Sequence, residues 1–446
     1  MDDEDQRLCI PLVLMVILAL NSFNLKAIPA SSLDGNPSFL KYEVYEALTA
    51  NFRHIVRINN PTYGIIVGGE LYVPLIRNET SRHYVILYNI SSVLGQPSFL
   101  KDGSENLYAC WKNVVINAKA TFVAEFNYRV LSFGTRYVID SSRVVDYDRN
   151  SDLYRRYTQA EKLIQSDNTE IVAMAKNVTD GVTSIHDKAS EIYSFVISHL
   201  HFSAQEEERG ALWALENGTG DCSEYSYLFA ALCRAIGIPA RVQAGFAFPY
   251  SSGSMEDGHM WAEYYLENYG WVPVDATWRR FDQLDSKHFS SIQSIPEVIS
   301  YSNYVFNSTI GGELEDKQTV VLNPCSPDSF SDQNFARNVT RTVQKTLQTK
   351  SSLFLGKLLG ASLLFSGEIE KVEQTLREIQ IQMQSAIDNC CIQQSFGITL
   401  QSAEDLANIS LVLAVKTLAL FVGIFAVVVT LLLICIRLHL NRNEKK

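Results

Sequence analysis

The stretch GDCSEYSYLFAALCRAIGIPARV, residues 220–242, places a cysteine after a glycine-rich turn and at the head of an amphipathic helix. Gly237 and Pro239 follow the last apolar residue in the order that commonly ends a helix. One face of the helix is apolar and is formed by Tyr225, Leu228, Phe229, Leu232, Cys233 and Ile236. The pattern therefore predicts a helix that begins at Cys222 and packs that face against a core.

The position of Cys222 favours a reactive thiol. A cysteine attacks as its thiolate, and an unperturbed thiol with a pKa of about 8.5 is mostly protonated at neutral pH. Free backbone N–H groups at a helix N-terminus stabilise a thiolate and could also hold the oxyanion of a tetrahedral intermediate. Cys233 lies in the middle of the same helix among apolar residues, which is typical of an inert core cysteine. We therefore predict that Cys222 is a nucleophile and that Cys233 is a core residue.

A histidine and an aspartate on two successive predicted strands could assist Cys222. The strand HMWAEYYL begins at His259, and the strand WVPVDAT carries Asp275. The turn ENYG joins them, and with an odd-numbered loop both side chains fall on one side of the sheet, within about one pair of each other. Asp275 could then accept a hydrogen bond from His259 and orient it, whereas a one-residue slip would separate the pair.

Four motifs in these segments resemble the core of the transglutaminase-like superfamily. They are, in order, Gly-x-Cys at the helix start, Arg-x-x-Gly-Ile-Pro-Ala-Arg at the helix exit, His-x-Trp on the first strand and Trp-x-x-x-Asp on the second. The resemblance covers residues 155–280. It departs slightly at Met260, where many relatives have alanine after the histidine.

The resemblance implies a papain-like fold with a Cys-His-Asp triad, and it requires neither a metal nor another cofactor. Cys222 would attack a carboxamide or peptide carbonyl, His259 would move the proton, and Asp275 would orient His259. In the family a tryptophan indole can serve as an oxyanion donor. Trp213 is the candidate in this chain, and helix packing explains that residue at least as well.

Outside this core, patterning divides the chain into several regions. Residues 40–150 contain short β-branched and aromatic runs separated by turn residues, which predicts a β-sandwich. Residues 155–290 combine helices with antiparallel strands in an α+β domain, and residues 291–330 are interpreted as a linker or extension. The predicted fold class is multidomain, with an N-terminal β-sandwich, an α+β transglutaminase-like core and a C-terminal helical region that ends in one transmembrane helix.

Residues 331–405 are predicted to be helical, with an apolar seam over residues 369–390. The seam residues recur at alternating steps of three and four positions: Ile369, Val372, Leu376, Ile379, Met383, Ala386 and Cys390. A coiled-coil homodimer is one interpretation of this pattern. A helix that packs on its own chain is the other, because a seam of about three heptads is short.

Two apolar segments predict export and membrane anchoring. The run from Leu8 to Leu20, within residues 1–30, has the length of a signal-peptide core, although its acidic start leaves an uncleaved anchor open. Residues 410–436 contain an apolar run long enough to span a bilayer, and the basic tail 437–446 follows it. The positive-inside rule then puts the tail in the cytoplasm and the preceding chain outside the cell. Candidate N-glycosylation sites suit that location: Asn78, Asn89, Asn177, Asn307 and Asn338.

The bulk composition argues against two other classes of protein. The net charge is −11, and no basic cluster of the kind that nucleic-acid binding needs is present. The eight cysteines contain no CxxC pair, which argues against a zinc site of the structural type. We therefore expect neither nucleic acid nor a metal among the ligands of this chain.

Together these patterns predict a membrane-anchored, outward-facing cysteine enzyme. It would act on protein or peptide amide bonds at the cell surface through an acyl-thioester at Cys222. Hydrolysis is preferred because an exported site has water at hand. The alternative is a protein-glutamine acyltransferase that cross-links surface proteins, and the second alternative is a non-catalytic surface protein with a binding or structural role.

Overall fold

The computed structural model describes residues 39–79, 81–294, 304–308, 314–325, 333–388 and 395–443. The chain divides into two compact units. The larger unit contains Leu40–Thr340 and Gln384–Ile392, and the smaller unit contains Arg341–Met383 and Gln393–Lys446. The predicted signal peptide or anchor, residues 1–30, lies outside the described residues.

The secondary-structure elements of the described residues are as follows. The strands are β1 (Tyr42–Asn59), β2 (Ile66–Pro74), β3 (His83–Ser92), β4 (Ser98–Lys101), β5 (Leu107–Ile116), β6 (Thr121–Tyr137), β7 (His201–Phe202), β8 (Thr219–Gly220), β9 (Ala240–Ala247), β10 (Gly253–Met255), β11 (His259–Leu266), β12 (Gly270–Asp275), β13 (Arg280–Phe281), β14 (Gln283–Leu284), β15 (His288–Gln293), β16 (Val305–Asn307) and β17 (Glu315–Pro324). The helices are α1 (Asp152–Thr158), α2 (Thr169–Val178), α3 (Ile185–His199), α4 (Ala211–Asn217), α5 (Cys222–Ala235), α6 (Gln333–Leu358), α7 (Ala361–Leu364), α8 (Ser366–Asp388) and α9 (Ser395–Asn443).

Two antiparallel sheets of the larger unit pack around one core and form a β-sandwich. One sheet has the order β10-β17-β1-β6-β14, with β3 also paired to β6, and the other has the order β16-β2-β5-β4. Alternate residues along the long strands point inward, as half-buried strands require. Their large apolar side chains fill the space between the sheets, among them Phe52, Leu71, Val73, Trp111, Phe126 and Tyr128. The N-terminal part of the chain is therefore strand-rich, as the sequence predicts.

The segment 291–330, interpreted from the sequence as a linker or extension, contributes two strands to this sandwich. β17 pairs with β1 from Ala50↔Pro324 to Asn59↔Glu315, and β16 pairs with β2. Such pairings join residues that are distant in sequence, so a single-sequence pattern shows that a strand is possible but not which strand it joins. β10 and β14, from within the predicted core segment, also belong to the first sheet.

The central region is an α+β arrangement built around α5. A five-stranded antiparallel sheet has the order β13-β12-β11-β9-β15, and α5 packs against β9 and β11. The sequence predicts one apolar face for α5, but the structure buries every side chain from Ser223 to Arg234. The reason is that α2, α3 and α4 also pack on α5, so that its polar side lies inside the domain as well.

Buried polar side chains on α5 find partners within the chain. The hydroxyl of Tyr225 donates to the carbonyl oxygen of Leu200 at 2.7 Å. The guanidinium of Arg234 donates to the carbonyl oxygen of Ala240 at 2.7 Å and forms an ion pair with Glu161 at 2.9 Å. Because these groups are hydrogen-bonded, their burial does not carry the full cost of desolvation.

In α8 the predicted apolar seam is buried within the chain. The seam residues among the described ones are each less than a tenth exposed: Ile369, Val372, Leu376, Ile379, Met383 and Ala386. Cys390, the last residue of the seam, lies outside the described residues. These six residues are thus covered by their own chain, which agrees with the second interpretation of the pattern, and the homodimer stays a prediction.

Within the described residues, one helix is long and apolar enough to cross a membrane. It is α9, in which the most apolar 18-residue stretch within Thr399–Leu431 has a mean hydropathy of 2.6 and few buried side chains. Large apolar side chains from Leu418 to Ile434 are exposed. The predicted span over residues 410–436 lies in this helix.

Candidate active site

Cys222 is the first residue of α5, and the local sequence fixes that position. Asp221 is the N-cap: its carboxylate accepts from the backbone N–H of Ser223 at 2.9 Å. In return, the carboxylate of Glu224 accepts from the backbone N–H of Asp221 at 3.2 Å, which completes a capping box. A Cβ atom at Gly220 would clash with the side chain of Glu224, so only glycine fits there. Cys222 itself is half-buried at the helix start.

The buried carboxylate of Glu224 also holds the loop that precedes α4. It accepts from the backbone N–H of Arg209 at 2.8 Å, and burial raises its pKa. Asp221 accepts in the same way from the backbone N–H of Gln205 at 3.2 Å. The two acidic residues therefore tie the loop before α4 to the helix start that carries Cys222.

His259 and Asp275 lie on one face of the sheet because of the hairpin register. β11 and β12 pair from Ala262↔Val274 to Leu266↔Gly270, which leaves a three-residue loop between the strands. An odd loop of this kind sets the two side chains on the same side and one pair apart. Nε2 of His259 donates to Oδ2 of Asp275 at 2.8 Å.

The side chain of Cys222 lies close enough to the imidazole of His259 to raise the pKa of that histidine. Because Nε2 is bound to Asp275, Nδ1 is the ring nitrogen left for the thiol. Burial lowers the pKa of His259, but the charge and hydrogen bond of Asp275, together with Cys222, outweigh burial and raise the pKa to about 9. His259 therefore holds a proton at neutral pH and can donate it.

Asp275 is fully buried and accepts three hydrogen bonds. Oδ1 accepts from the backbone N–H of Trp278 at 2.9 Å, and Oδ2 accepts from His259 and from Nε2 of His288 at 3.1 Å. Burial raises the pKa of a carboxyl group, yet the two histidines outweigh burial and hold the pKa of Asp275 well below its usual range. Asp275 is thus a permanent anion behind His259.

The sequence reasoning missed His288, the first residue of β15. It is fully buried, and its Nδ1 donates to Oδ1 of Asp285 at 3.0 Å. Its carbonyl oxygen accepts from Arg82 at 2.9 Å and from His83 at 2.6 Å. The Asp-x-x-His spacing of residues 285–288, soon after Asp275, is the one local signal that could have drawn attention to it.

A glycine on β9 brings the strand of His288 close to the sheet. Gly245 is paired with His259 on one side and with Ser290 on the other. A Cβ atom at residue 245 would clash with the carbonyl oxygen of Phe289. Glycine is therefore required for β15 to lie where His288 reaches Asp275.

Two tryptophans line the histidine side of the site. The ring of Trp278 lies 5.0 Å from the ring of His259, and the buried ring of Trp261 lies 6.3 Å from it in a stacked orientation. Both rings also contact His288, at 4.9 and 5.4 Å between centroids. The two indole rings exclude water from the Asp275 side of His259. Because the surroundings are then less polar, the charge interaction between His259 and Asp275 is stronger.

The remaining predicted residues have different surroundings. Trp213 is a half-buried residue of α4 whose carbonyl oxygen accepts from the Asn217 side chain at 2.8 Å, and its role as an oxyanion donor stays a prediction. Cys233 is fully buried in α5, and burial raises the pKa of its thiol far above the usual range. This contrast agrees with the prediction that Cys233 is an inert core residue.

Three of the residues described above could in principle hold a cation. Ligand atoms of His259, Asp275 and His288 all lie within 4.8 Å of one another. Both histidines, however, donate to the same oxygen of Asp275, and His288 donates with its other nitrogen to Asp285. A metal ion would have to break these hydrogen bonds and take His259 from Asp275, so we assign the residues to a hydrogen-bonded chain.

A cysteine at a helix start, joined to a buried histidine and aspartate on an antiparallel sheet, defines a transglutaminase-like core domain. Residues 172–276 match the family model of the transglutaminase-like superfamily, so the match covers the central domain and not the whole chain. All three residues Cys222, His259 and Asp275 fall within the matched range.

The chain is also similar to individual proteins. It is 38% identical over 68 residues to a protein-glutamine gamma-glutamyltransferase of Pseudomonas aeruginosa, a match that covers 14% of this chain and 10% of that protein. The chain therefore matches only about a tenth of the length of this curated relative.

Among solved structures, a candidate cysteine protease from Cytophaga hutchinsonii matches with a TM-score of 0.50 and 16% identity, over 66% of this chain and 97% of that one. The periplasmic domain of TgpA from Pseudomonas aeruginosa matches with a TM-score of 0.27 and 19% identity, over 52% of this chain and 91% of that one. The first likeness covers more of the chain than the core domain and concerns the fold alone.

Proposed function

We propose that this chain is a membrane-anchored, outward-facing cysteine enzyme that hydrolyses amide bonds of proteins or peptides. One observation carries the proposal: the imidazole of His259 is hydrogen-bonded to the buried carboxylate of Asp275 and lies near enough to Cys222 for that side chain to raise its pKa. A nucleophile, a base and an orienting anion in this order are the requirements of acyl-transfer chemistry through a thioester.

The first half-reaction would form an acyl-thioester. The Cys222 thiolate attacks the amide carbonyl carbon, a C–S bond forms, and the electron pair of the C=O bond moves to oxygen. The backbone N–H of Cys222, the first residue of α5, would stabilise that oxyanion, since the capping box takes up the N–H groups of the next two residues. The C–N bond then breaks, and protonated His259 gives its proton to the departing amine.

The second half-reaction would return the thiol to its starting state. Neutral His259 takes a proton from water, the resulting hydroxide attacks the thioester carbonyl, and the C–S bond breaks. A carboxylic acid is released, and Cys222 leaves as thiolate beside a protonated His259. The charge of Asp275 stabilises the imidazolium in both steps.

Amine transfer is the second candidate, and the Pseudomonas aeruginosa relative, a protein-glutamine gamma-glutamyltransferase by name, favours it. The two reactions share the acyl-thioester and differ in whether water or an amine attacks it. The full chain is incubated with a fluorescent primary amine and a glutamine-containing protein. Hydrolysis predicts release of ammonia or a new peptide end without covalent dye, whereas dye incorporation that is lost in Cys222→Ala would establish transfer.

Selective alkylation distinguishes an enzyme from a non-catalytic surface protein. Iodoacetamide is applied near pH 6, and the adducts are mapped for Cys222, Cys110 and Cys325. Cys110 is buried, and burial raises the pKa of its thiol to about 11. We expect Cys222 to react fastest and the reaction to slow in His259→Ala. Equal labelling of Cys222 and Cys325, which is also half-buried, would exclude an activated thiol.

The location of the enzyme is part of the proposal. α9 would span the membrane, and the basic residues after it would keep the C-terminus in the cytoplasm. The candidate glycosylation sites are exposed at Asn78, Asn89, Asn177 and Asn307 and half-buried at Asn338. Removal of N-linked glycans from the cell-derived protein should lower its apparent mass, and surface biotinylation of intact cells should label it. A protein that is labelled only after the cells are opened would contradict the orientation.

A further inference from the structure

Residues 353–365, LFLGKLLGASLLF, comprise the end of α6, the short helix α7 and the residues that lead into α8, and the proposed chemistry does not use them. This segment is called the apolar turn. The five large apolar side chains at the surface of this apolar turn are Phe354, Leu355, Leu358, Leu363 and Leu364, with exposed fractions of 71, 45, 71, 88 and 56%. Single exposed apolar residues are ordinary, but a contiguous group of this kind marks a contact surface.

The apolar turn is held against α9. Ala361, Ile369 and Leu413 share one buried cluster, and Phe365 packs against it. A Cβ atom at Gly356 would lie 3.8 Å from the Cα of Ala414, so the backbone of the turn runs close beside α9 at that residue. On the same stretch of α9, Leu411, Val412 and Val415 remain exposed. The two exposed apolar surfaces therefore lie at one level of the helix.

The length of α9 shows how far the apolar turn lies from the edge of a membrane that this helix would cross. A bilayer core about 30 Å thick needs about 20 helical residues. Counted back from Ile436, the last residue before Arg437, 20 residues of this kind reach about Thr417. Leu413 lies four residues, about 6 Å along the helix, from that edge. The apolar turn is thus at the depth where the polar interface meets the hydrocarbon.

The charge within the apolar turn does not oppose such a position. Lys357 is the one charged residue of the segment, and its Nζ lies 2.5 Å from Oε1 of Glu373 on α8. The pair is about half exposed, so the lysine can keep its charged end near the headgroups while its stem follows the apolar surface.

We propose that the apolar turn is a second membrane contact and inserts its exposed side chains into the interface at which α9 enters the bilayer. The inference rests on the proposed span of α9. Its occupant is lipid, because the surface is continuous with the exposed apolar face of that helix. A helix that is anchored at one point can tilt and rotate, and a second contact beside it would fix both motions.

Photo-crosslinking in the full chain tests this proposal. The chain is reconstituted in phosphatidylcholine vesicles with a photo-crosslinking amino acid at Leu358 or at Leu363. Ile424, which is 57% exposed in α9, is the positive control, and exposed Glu370 of α8 is the aqueous control. We expect lipid adducts at Leu358 and Leu363 at least about tenfold above those at Glu370, since an aqueous position meets no acyl chains.

The outcomes separate the turn from the span. Lipid adducts at Ile424 without adducts at Leu358 and Leu363 would overturn the second contact and leave the span in place. No lipid adducts at any of these positions would remove the span and the inference together. Crosslinks from Leu358 or Leu363 to a second copy of the chain, in place of lipid, would show that the surface is a protein interface and would also overturn the proposal.

Discussion

His288 donates a hydrogen bond to Oδ2 of Asp275 at 3.1 Å, to the same oxygen that accepts from His259. Burial lowers the pKa of His288, but hydrogen bonds to Asp275 and Asp285 outweigh burial and raise it. Both ring nitrogens face carboxylates, so His288 is a cation in this arrangement. The series of interacting side chains that begins at Cys222 therefore continues past Asp275 to a second histidine, His288, and a second aspartate, Asp285.

Replacement of this second histidine should weaken the site without removing it. In His288→Gln the positive charge behind Asp275 is lost, while one side-chain donor is kept. We expect kcat/KM to fall by about 10–100-fold, as is usual when a partner behind a functional group is removed. The freed charge of Asp275 should also raise the pKa of His259 above about 9. The pH dependence of Cys222 alkylation measures that pKa.

A matched control is available in His186. It also pairs with an aspartate, Asp282, at 2.8 Å and also has a raised pKa, but it lies outside the site. His186→Gln should leave the pKa of His259 unchanged. If both variants shift it equally, or if His288→Gln does not shift it, the effect of His288 on Asp275 is not electrostatic.

Local sequence patterns predict that Cys222, His259 and Asp275 belong to the site, because the position of each side chain is set by residues close to it in sequence. A capping box fixes the helix start, and an odd hairpin loop sets the face of two strands. His288 depends instead on the pairing of β15 with β9 and on the close approach at Gly245. No local pattern encodes such a pairing, so the sequence does not reveal this part of the site.

The same limit applies to the sandwich. Residues 315–324 contain one short apolar run, Val320 to Leu322, which does not distinguish a strand from a linker, and the pairing with β1 joins residues that are far apart in the chain. For the helical seam of α8, the sequence predicts the secondary structure well but does not predict what packs against it. Its period is clear, while the surface that covers it, the same chain or a second copy, is a property of the folded structure alone.

Activity should fall at alkaline pH. Protonated His259 supplies the proton for the departing amine, and Asp275 raises its pKa to about 9. We expect kcat/KM to decline as the pH rises through about 9. Asp275→Asn removes the negative charge that raises the pKa of His259, so the decline in kcat/KM should move to lower pH. We also expect kcat to fall by about 10⁴-fold. A pH–rate profile of both proteins measures the two midpoints, and an unshifted midpoint in Asp275→Asn would contradict the assignment.

Stability should show a related pH dependence. The pKa of His259 is raised from 6.5 to about 9 on folding, so its contribution is complete below pH 6.5 and is lost as the pH rises through about 9. The loss is on the order of 3 kcal/mol, at 1.36 kcal/mol for each pKa unit. Urea unfolding of the larger unit, followed by tryptophan fluorescence at pH 6.5 and 9.5, measures it. The difference should shrink in Asp275→Asn, and equal stability at both pH values would refute the linkage.

The helix cap at Asp221 should matter more for activity than for stability. Asp221→Ala removes the acceptor for the N–H of Ser223 and should cost about 0.5–2 kcal/mol. Ser184→Ala removes a comparable cap from α3, where the hydroxyl accepts from the N–H of Asp187 at 3.3 Å. Asp221→Ala also loses the bond from the N–H of Gln205, so it should unfold at a somewhat lower urea concentration than Ser184→Ala. Only Asp221→Ala should lower kcat/KM, by about 10²-fold, because it lets Cys222 move relative to His259.

A methyl group at Gly245 should disturb the site by displacing His288. In Gly245→Ala the new Cβ would clash with the carbonyl oxygen of Phe289, so β15 must move away from β9 and carry His288 with it. We expect a loss of about 1–3 kcal/mol in the free energy of unfolding, typical of overpacking, and a rise in the pKa of His259 like that in His288→Gln.

The control for this variant is Gly64→Ala, because a Cβ there would meet only the Thr62 hydroxyl, at 3.8 Å. Gly64→Ala should change the free energy of unfolding by less than about 0.5 kcal/mol. If Gly245→Ala lowers stability but leaves the pKa of His259 unchanged, the clash is absorbed without moving His288. Glycine would then be needed at residue 245 for packing alone, and the position of His288 would depend on its bonds to Asp285 and His83.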